Sequence, residues 1–431
     1  MTSIPKKVAV NLVKKVPTVR RYLDEKKAMG VQLLKQHEQI TQLRENKRIN
    51  RGSTEHRKNQ QPYIRFITNQ LDATGAPLIF MEVAKDFIKQ HPKAPVDFTT
   101  FTPTNNQYVE VLKSLGFITT IHDRRDVELD FVKGDVVILN TVAHETRLKN
   151  SIYNALEAGI IKKFIWYMHE DWPEIFFDEA ERQRIRKLLD RGKVTIFLPA
   201  VKALNNHQKL YGGKKNLKKL PYRIIIPGEY YMHREPEEFD KLTFIMVGKT
   251  GEGLKGHLPI LYAFLTFKRM YYDHNPKTYR DFELRFMSIE ADYLSLQILR
   301  HAPGLGKHFK HYPPLPHDEA LDVIRESNIT ICYSMRECLP IFVFEGMATG
   351  HPILRNDVSG MEEQLVEGEN GWLLDSNNYD QVVETIEKVL NHSSSSNDEL
   401  AKMSHKSHQI AKKQGKNSYE ALIRESWKSF T

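Results

Sequence analysis

From position 63 onward the chain alternates short β-branched and aromatic runs with stretches of helical period, and it does so in two series. Strand-like runs of the first series lie at 63–68, 96–101, 117–121, 135–140, 163–169, 193–198 and 222–226. Gaps such as 77–90, 105–115 and 144–158 each hold a helix. A polar break at 229–240 follows, and the alternation restarts. The second series has strand-like runs at 242–247, 282–289, 307–312, 328–333, 352–355 and 371–374. Its helical stretches are 257–272, 291–301, 318–326, 342–349 and 379–390. Runs this apolar suit strands buried on both faces, and strand–helix alternation predicts a parallel sheet covered by helices. Two series predict two α/β domains, at 62–235 and 240–395, with a cleft between them. Ligands of such sheets bind outside the carboxyl ends of the strands. A Ser-rich stretch at 393–396 precedes two terminal helices, 399–413 and 418–430.

The charge is segregated. Of 63 Lys and Arg and 54 Asp and Glu, the first 61 residues carry 15 and 5. The body is therefore nearly neutral, which argues against a nucleic-acid-binding surface there, and the leader is basic. Ile4, Val8, Leu12 and Val16 recur every four residues among Lys6, Lys7, Lys14 and Lys15, bounded by Pro5 and Pro17. Residues 20–49 predict a longer helix with a thin stripe of Leu33, Ile40 and Leu43, and 51–61 a polar linker. A short basic amphipathic helix suits an anionic membrane surface, so residues 1–50 are expected to meet one. The longer helix also offers a surface for self-association. No apolar run approaches the roughly 20 residues that span a bilayer, and the N-terminus lacks a secretory signal. The expected location is cytoplasmic, peripheral at the inner face of the cell membrane. Cys332 and Cys338 cannot form a disulfide framework and lack zinc-ligand spacing; they read as small buried thiols.

The segment 334–374, SMRECLPIFVFEGMATGHPILRNDVSGMEEQLVEGENGWLL, carries the most chemistry. A buried strand ends at 333, a loop follows, and Pro340 suits the start of a helix that closes at Gly350. Glu337 then lies in the loop and Glu345 inside the helix. The free N–H groups of the first turn favour an anion such as a diphosphate.

This segment resembles the retaining GT-B glycosyltransferases of family 4 (glycosyl transferases group 1), of the bacterial cell-surface polysaccharide and teichoic-acid type. The likeness rests on Glu337 and Glu345, separated by seven intervening residues, with Pro340, Gly346, Ala348, Gly350, Pro352, Gly360, Glu363, Gly368, Asn370 and Gly371 around them. It covers about residues 63–391 and implies two Rossmann-like domains, a GT-B fold, with the C-terminal helices crossing back to the first. By the resemblance, Glu337 contacts hydroxyls of the donor sugar and Glu345 the ribose. A glycine–aromatic pair usual after the first glutamate is replaced by Cys338 and Leu339; these, with Pro340 and Ile341, are placed at the donor. FIMVGKTGEGLKG at 244–256 matches a second element, in which Gly248 ends a strand and Lys249 and Lys255 meet the diphosphate. Two cations there stabilise the departing nucleoside diphosphate without a metal.

In the first domain, ITNQLDATGAP at 67–77 resembles a glycine loop on the acceptor side, assigned to Thr74, Gly75 and Ala76. FIWYMHEDWP at 164–173 resembles an element that brings a histidine, here His169, near the donor sugar. Trp166, Tyr167 and Trp172 read as core side chains. The loop 311–316, HYPPLP, is expected to shelve the nucleobase. The expectation is thus a hexosyltransferase-type enzyme without cofactor or metal. It uses a nucleotide-sugar, taken as UDP-linked, and a glycan, polyol-phosphate or lipid-linked acceptor. Its rival is a catalytically silent subunit that grips acceptor for an active partner, which would be free to lose Glu337, Glu345 and Lys255.

Overall fold

The computed structural model describes residues 61–431 apart from 73–74, 103, 124–126, 214, 251–253 and 288–292. The basic leader, with its expected membrane and self-association surfaces, and Thr74 lie outside the described residues.

The first domain is a seven-stranded parallel sheet in the order β3-β2-β1-β4-β5-β6-β7. Its strands are β1 (Ile64–Ile67), β2 (Val96–Phe101), β3 (Ile118–His122), β4 (Asp135–Asn140), β5 (Ile161–Tyr167), β6 (Val194–Leu198) and β7 (Leu217–Lys219). Helices α1 (Gly75–Gln90), α2 (Asn106–Ser114), α3 (Thr146–Glu157), α4 (Pro173–Phe176), α5 (Glu179–Asp190) and α6 (Val201–Tyr211) cover it. Every residue of β1, β2, β4 and β6 is buried, which is why these strands read as unbroken apolar runs.

The second domain is a six-stranded parallel sheet in the order β10-β9-β8-β11-β12-β13. It comprises β8 (Lys241–Val247), β9 (Asp281–Met287), β10 (Phe309–Tyr312), β11 (Ile329–Cys332), β12 (Ile353–Asn356) and β13 (Gly371–Leu374). Its helices are α7 (His257–Phe267), α8 (Tyr293–His301), α9 (His317–Arg325), α10 (Ile341–Ala348) and α11 (Tyr379–Leu390). Both sheets reverse their strand order beside their first strand. The crevices for ligands therefore open after β1 and β4 in one domain and after β8 and β11 in the other.

Two helices close the chain. The long α12 (Asn397–Gln414) packs on α10, and α13 (Glu420–Phe430) packs on β4, β5 and α1 of the first domain. Glu425 of α13 holds Lys218 at 2.9 Å and Lys163 at 3.1 Å. Burial pushes its carboxyl up, but the two ammonium groups overcome that and hold it down at about 2.

One expected strand is not a strand. Residues 222–226 do alternate, with Tyr222, Ile224 and Ile226 buried and Ile225 53% exposed, yet β7 forms upstream at Leu217–Lys219. Pro221 and Pro227 flank the segment. Its backbone is satisfied from the C-terminal region instead. The Tyr222 carbonyl accepts from Gln414 and Asn417, and the Arg223 N–H donates to the Tyr419 hydroxyl. Period-two burial was legible; the side-chain partners that replace a ladder were not.

Candidate active site

Lys255 and Glu337 arise from the loops that follow β8 and β11, the two strands flanking the crevice of the second domain. The Lys255 ammonium donates to Glu337 Oε1, and the Ser334 hydroxyl donates to the same oxygen at 3.1 Å. Glycines on both sides let this happen. Gly248 has φ +139°, and the stem of Lys255 passes 3.2 Å from where its Cβ would stand. Gly256 has φ +66°, and a Cβ there would lie 2.0 Å from the Tyr333 carbonyl oxygen. Burial pulls the Lys255 pKa down, but the adjacent Glu337 carboxylate more than reverses this, and the net shift is upward. Lys249, at the mouth of the same loop, is exposed.

The Glu337 loop is pinned from three directions. Asn356 Nδ2 donates to the Ser334 carbonyl at 2.7 Å, and Gln364 Nε2 to the Pro340 carbonyl at 2.7 Å. Gly360, φ +77°, sits so close that a Cβ would come within 2.3 Å of the Cys338 carbonyl. The side chains of Cys338 and Leu339 are both buried in apolar clusters, Cys338 among first-domain residues including Trp166 and Met168. Their side chains are therefore taken up by packing and do not line the cleft. Pro340 is the N-cap of α10, with ψ 123°, and Ile341 opens the helix. Opposite it stands the start of α1: a Cβ on Gly75 would meet Ile341 Cδ1 at 2.9 Å. Two helix N-termini, one from each domain, thus converge on the cleft. Ala76 follows at half-buried exposure.

Glu345 is buried within α10, and its Oε1 is 2.7 Å from His317 Nε2, at the first residue of α9. The hydrogen bond to Glu345 holds the His317 pKa up against its partial burial. His317 was absent from the residues expected at the site. Its signal was its position directly after the expected shelf 311–316, whose first two residues end β10 and whose last four join it to α9. Arg355 was also missed. It lies within β12, is fully buried, and donates from Nη2 to the Ser359 carbonyl at 2.7 Å. Its Nε and Nη1 have no hydrogen-bond partner among the described residues. This cation adds positive potential beneath the Glu337 loop.

Across the cleft, His169 follows β5. Its Nε2 lies 2.5 Å from Asn140 Oδ1 and its Nδ1 2.7 Å from the Tyr222 hydroxyl. The Nε2–H tautomer donates to Asn140 and accepts from Tyr222. Both ring nitrogens are engaged, and burial depresses the pKa to about 3. The ring is a neutral, fixed wall of the cleft, unsuited to proton transfer near neutral pH. The neighbouring Glu170 ties the strand ends together, taking the N–H groups of Val142 and His169 at 3.1 and 3.0 Å and the Thr141 hydroxyl. Thr141 adopts φ +62°, a strained conformation for a β-branched residue, and its carbonyl accepts from the Trp166 indole at 2.6 Å.

The two domains also touch directly. Val201 N–H and Lys219 reach Glu363 Oε1 at 2.8 and 2.9 Å, and Lys202 meets Asp357 at 2.8 Å. Of the aromatics expected in the core, Trp166 and Tyr167 are fully buried but Trp172 is 45% exposed. Trp172 lies past the end of β5, in the loop that carries His169 out of the sheet.

Residues 232–413 match the family of glycosyl transferases group 1. No curated protein sequence matches the chain. Solved structures share the fold at low identity. The Anabaena protein HepE, solved with UDP, is 13% identical, with 85% of this chain and 98% of that one covered at a TM-score of 0.61. A glycosyltransferase from Rickettsia africae is 13% identical over 86% and 98%, with a TM-score of 0.60. A variant of S. aureus TarM, solved with fondaparinux, alpha-GlcNAc-glycerol and UDP, is 10% identical over 86% and 100%, with a TM-score of 0.58. The chain has the α/β GT-B fold.

Proposed function

We propose that the chain is a retaining, metal-independent glycosyltransferase of family 4 that uses a UDP-linked sugar. The observation that carries this reading is the Lys255–Glu337 pair at the crevice of the second sheet, with Glu337 in the loop that leads into α10, whose first residue closely approaches Gly75 at the start of α1. The ammonium and carboxylate satisfy each other. A bound donor offers each a better partner. The diphosphate oxygens accept from Lys255, Lys249 and the first-turn N–H groups of α10. The sugar hydroxyls donate to Glu337, which is acceptor-only when ionised. His317 occupies one oxygen of Glu345 and leaves the other for ribose hydroxyls. As the sugar–phosphate bond breaks, negative charge grows on the leaving phosphate. Lys255 and the buried Arg355 stabilise that charge in a water-poor site. The leaving phosphate takes the acceptor's proton, since His169 is held neutral with both nitrogens engaged. The acceptor enters on the Gly75 and His169 side. The basic leader supports an acceptor presented at the inner membrane face, a cell-envelope glycan, teichoic acid or lipid-linked sugar.

Saturation-transfer NMR with UDP, GDP, ADP and CDP and their common sugar conjugates tests the reading. UDP and one UDP-sugar should bind, and Lys255→Ala should weaken both. Folded protein that ignores every nucleotide at millimolar concentration would overturn it.

A further inference from the structure

Trp172 is 45% exposed, whereas Trp166 and Trp372 are 0% and 4% exposed. It lies three residues beyond His169. Its ring faces the guanidinium of Arg336 from the second domain, with the central carbon 5.6 Å from the ring centroid. Arg336 immediately precedes Glu337. The pair thus draws one member from each domain and borders the residue assigned to the donor sugar, on the side where the acceptor must approach. Ile175 and Phe176 of α4 are 47% and 38% exposed, and Met335, beside Arg336, is 67% exposed. Large apolar side chains left open around a cleft mark a contact surface rather than core.

The chemistry of the pair selects its ligand. An aromatic face takes the C–H face of a pyranose ring, and its open exposure leaves room for one. A guanidinium stacked on an aromatic ring keeps its edge N–H groups free for a planar anion. Among the described residues no carboxylate is paired with Arg336. The described carboxylates nearby are already engaged. Glu337 holds Lys255, Glu170 holds the strand ends, and Asp171 accepts from Asn206 at 2.8 Å. Among the described residues, then, no carboxylate neutralises Arg336 for an anion that reaches it.

We propose that Trp172 and Arg336 form an acceptor subsite for an anionic glycan, with a sugar ring on the indole and a phosphate or carboxylate of the adjoining unit on the guanidinium. This rests on the glycosyltransferase reading and names its acceptor class.

The full chain is titrated with poly(glycerol phosphate), with hyaluronan oligosaccharides and with dextran, following tryptophan emission. The basic leader also attracts polyanions but contains no tryptophan, and Trp166, Trp372 and Trp427 all remain in Trp172→Phe, so a shift lost in that variant reports on this lip. One polyanion, carrying phosphate or carboxylate, should shift the emission saturably, and dextran should not. The shift should vanish in Trp172→Phe. Arg336→Gln should raise the midpoint at least about tenfold, the loss of a charge-assisted hydrogen bond, and Arg336→Lys should recover part of it. Melting curves establish that each variant is folded. Equal responses to dextran and to both polyanions, an unchanged midpoint in Arg336→Gln, or a shift that survives Trp172→Phe would overturn the subsite. A parallel UDP titration separates the two readings. Lost UDP binding with an intact polyanion response sinks the donor site, and the reverse sinks the acceptor subsite.

Discussion

Lys255→Met removes one ammonium and keeps the aliphatic stem that lies across Gly248, so its effects can be assigned to charge. Breaking a fully buried ion pair by deleting one partner costs about 3–5 kcal/mol. This pair is less sequestered. The Lys255 side chain is 30% exposed and that of Glu337 11%, and Glu337 keeps its bond from Ser334. Discounted for that exposure, the expected loss is about 1–2 kcal/mol. For a chain of this size that lowers the melting temperature by a few degrees at most. Glu337→Gln leaves the more exposed ammonium behind and should cost less than about 1 kcal/mol. The double variant should recover most of the difference, because neither charge is then stranded. Binding should respond more strongly than stability. Losing charge-assisted bonds to a diphosphate is worth about 1.5–3 kcal/mol, or about 10- to 150-fold in UDP affinity. Because the folded pKa of Lys255 is raised, the pair's contribution is complete below the usual lysine value and is lost only as pH rises through the folded one. The coupling energy should therefore be flat between about pH 6 and pH 9. Calorimetric melting of the four proteins, with UDP titrations at pH 7, reads all of this. A Lys255→Met protein as stable as the parent that binds UDP within about twofold would refute the reasoning, and Lys255 would be a solvated lysine.

Three further outcomes follow from the same geometry. The His169 ring should show no NMR titration from pH 8 to about pH 5; its depressed pKa means the stability it lends is present above the usual histidine value and fades only as pH falls towards 3. A midpoint near 6.5 would contradict the wall role. The raised pKa of His317 has the opposite sign. Its contribution is full below about pH 6.5 and is lost as pH rises through the folded value, so the melting advantage over His317→Gln should shrink between about pH 6 and pH 9. Because His317 is 42% exposed, the pair is worth under about 1 kcal/mol. Finally, Gly256→Ala and Gly159→Ala share a positive φ, but only the former drives a Cβ into backbone, at 2.0 Å from the Tyr333 oxygen. Denaturant unfolding should show about 1 kcal/mol lost at Gly159 and well above 2 at Gly256, or no folded protein.

The double series of apolar runs was enough to read both sheets, because strands buried on two faces leave little else to read. The crevice was legible for a related reason. Gly248, Gly256 and Gly360 mark where backbone must pass close to backbone or to a lysine stem, and those glycines frame Glu337 and Lys255. Side-chain bonding between distant segments was not legible. Nothing local in the sequence says that Tyr222 and Asn140 would saturate His169, or that His317 would reach Glu345. Those pairs join residues 28 to 53 positions apart across different strands and helices. The exposure of Trp172 was hidden for the opposite reason. It adjoins a strand whose own Trp166 and Tyr167 are core, and composition cannot say where the strand ends and the lip begins.

Turnover of the donor by the purified chain, followed by proton NMR of the released sugar, tests the proposed transferase activity directly. UDP-sugars should be presented one at a time, alongside Glu337→Gln. Slow release from one of them is expected, the first anomer detected keeping the donor's configuration, with release lost in Glu337→Gln. Firm UDP binding with no release from any donor, with or without an acceptor glycan, would contradict it and leave a silent subunit.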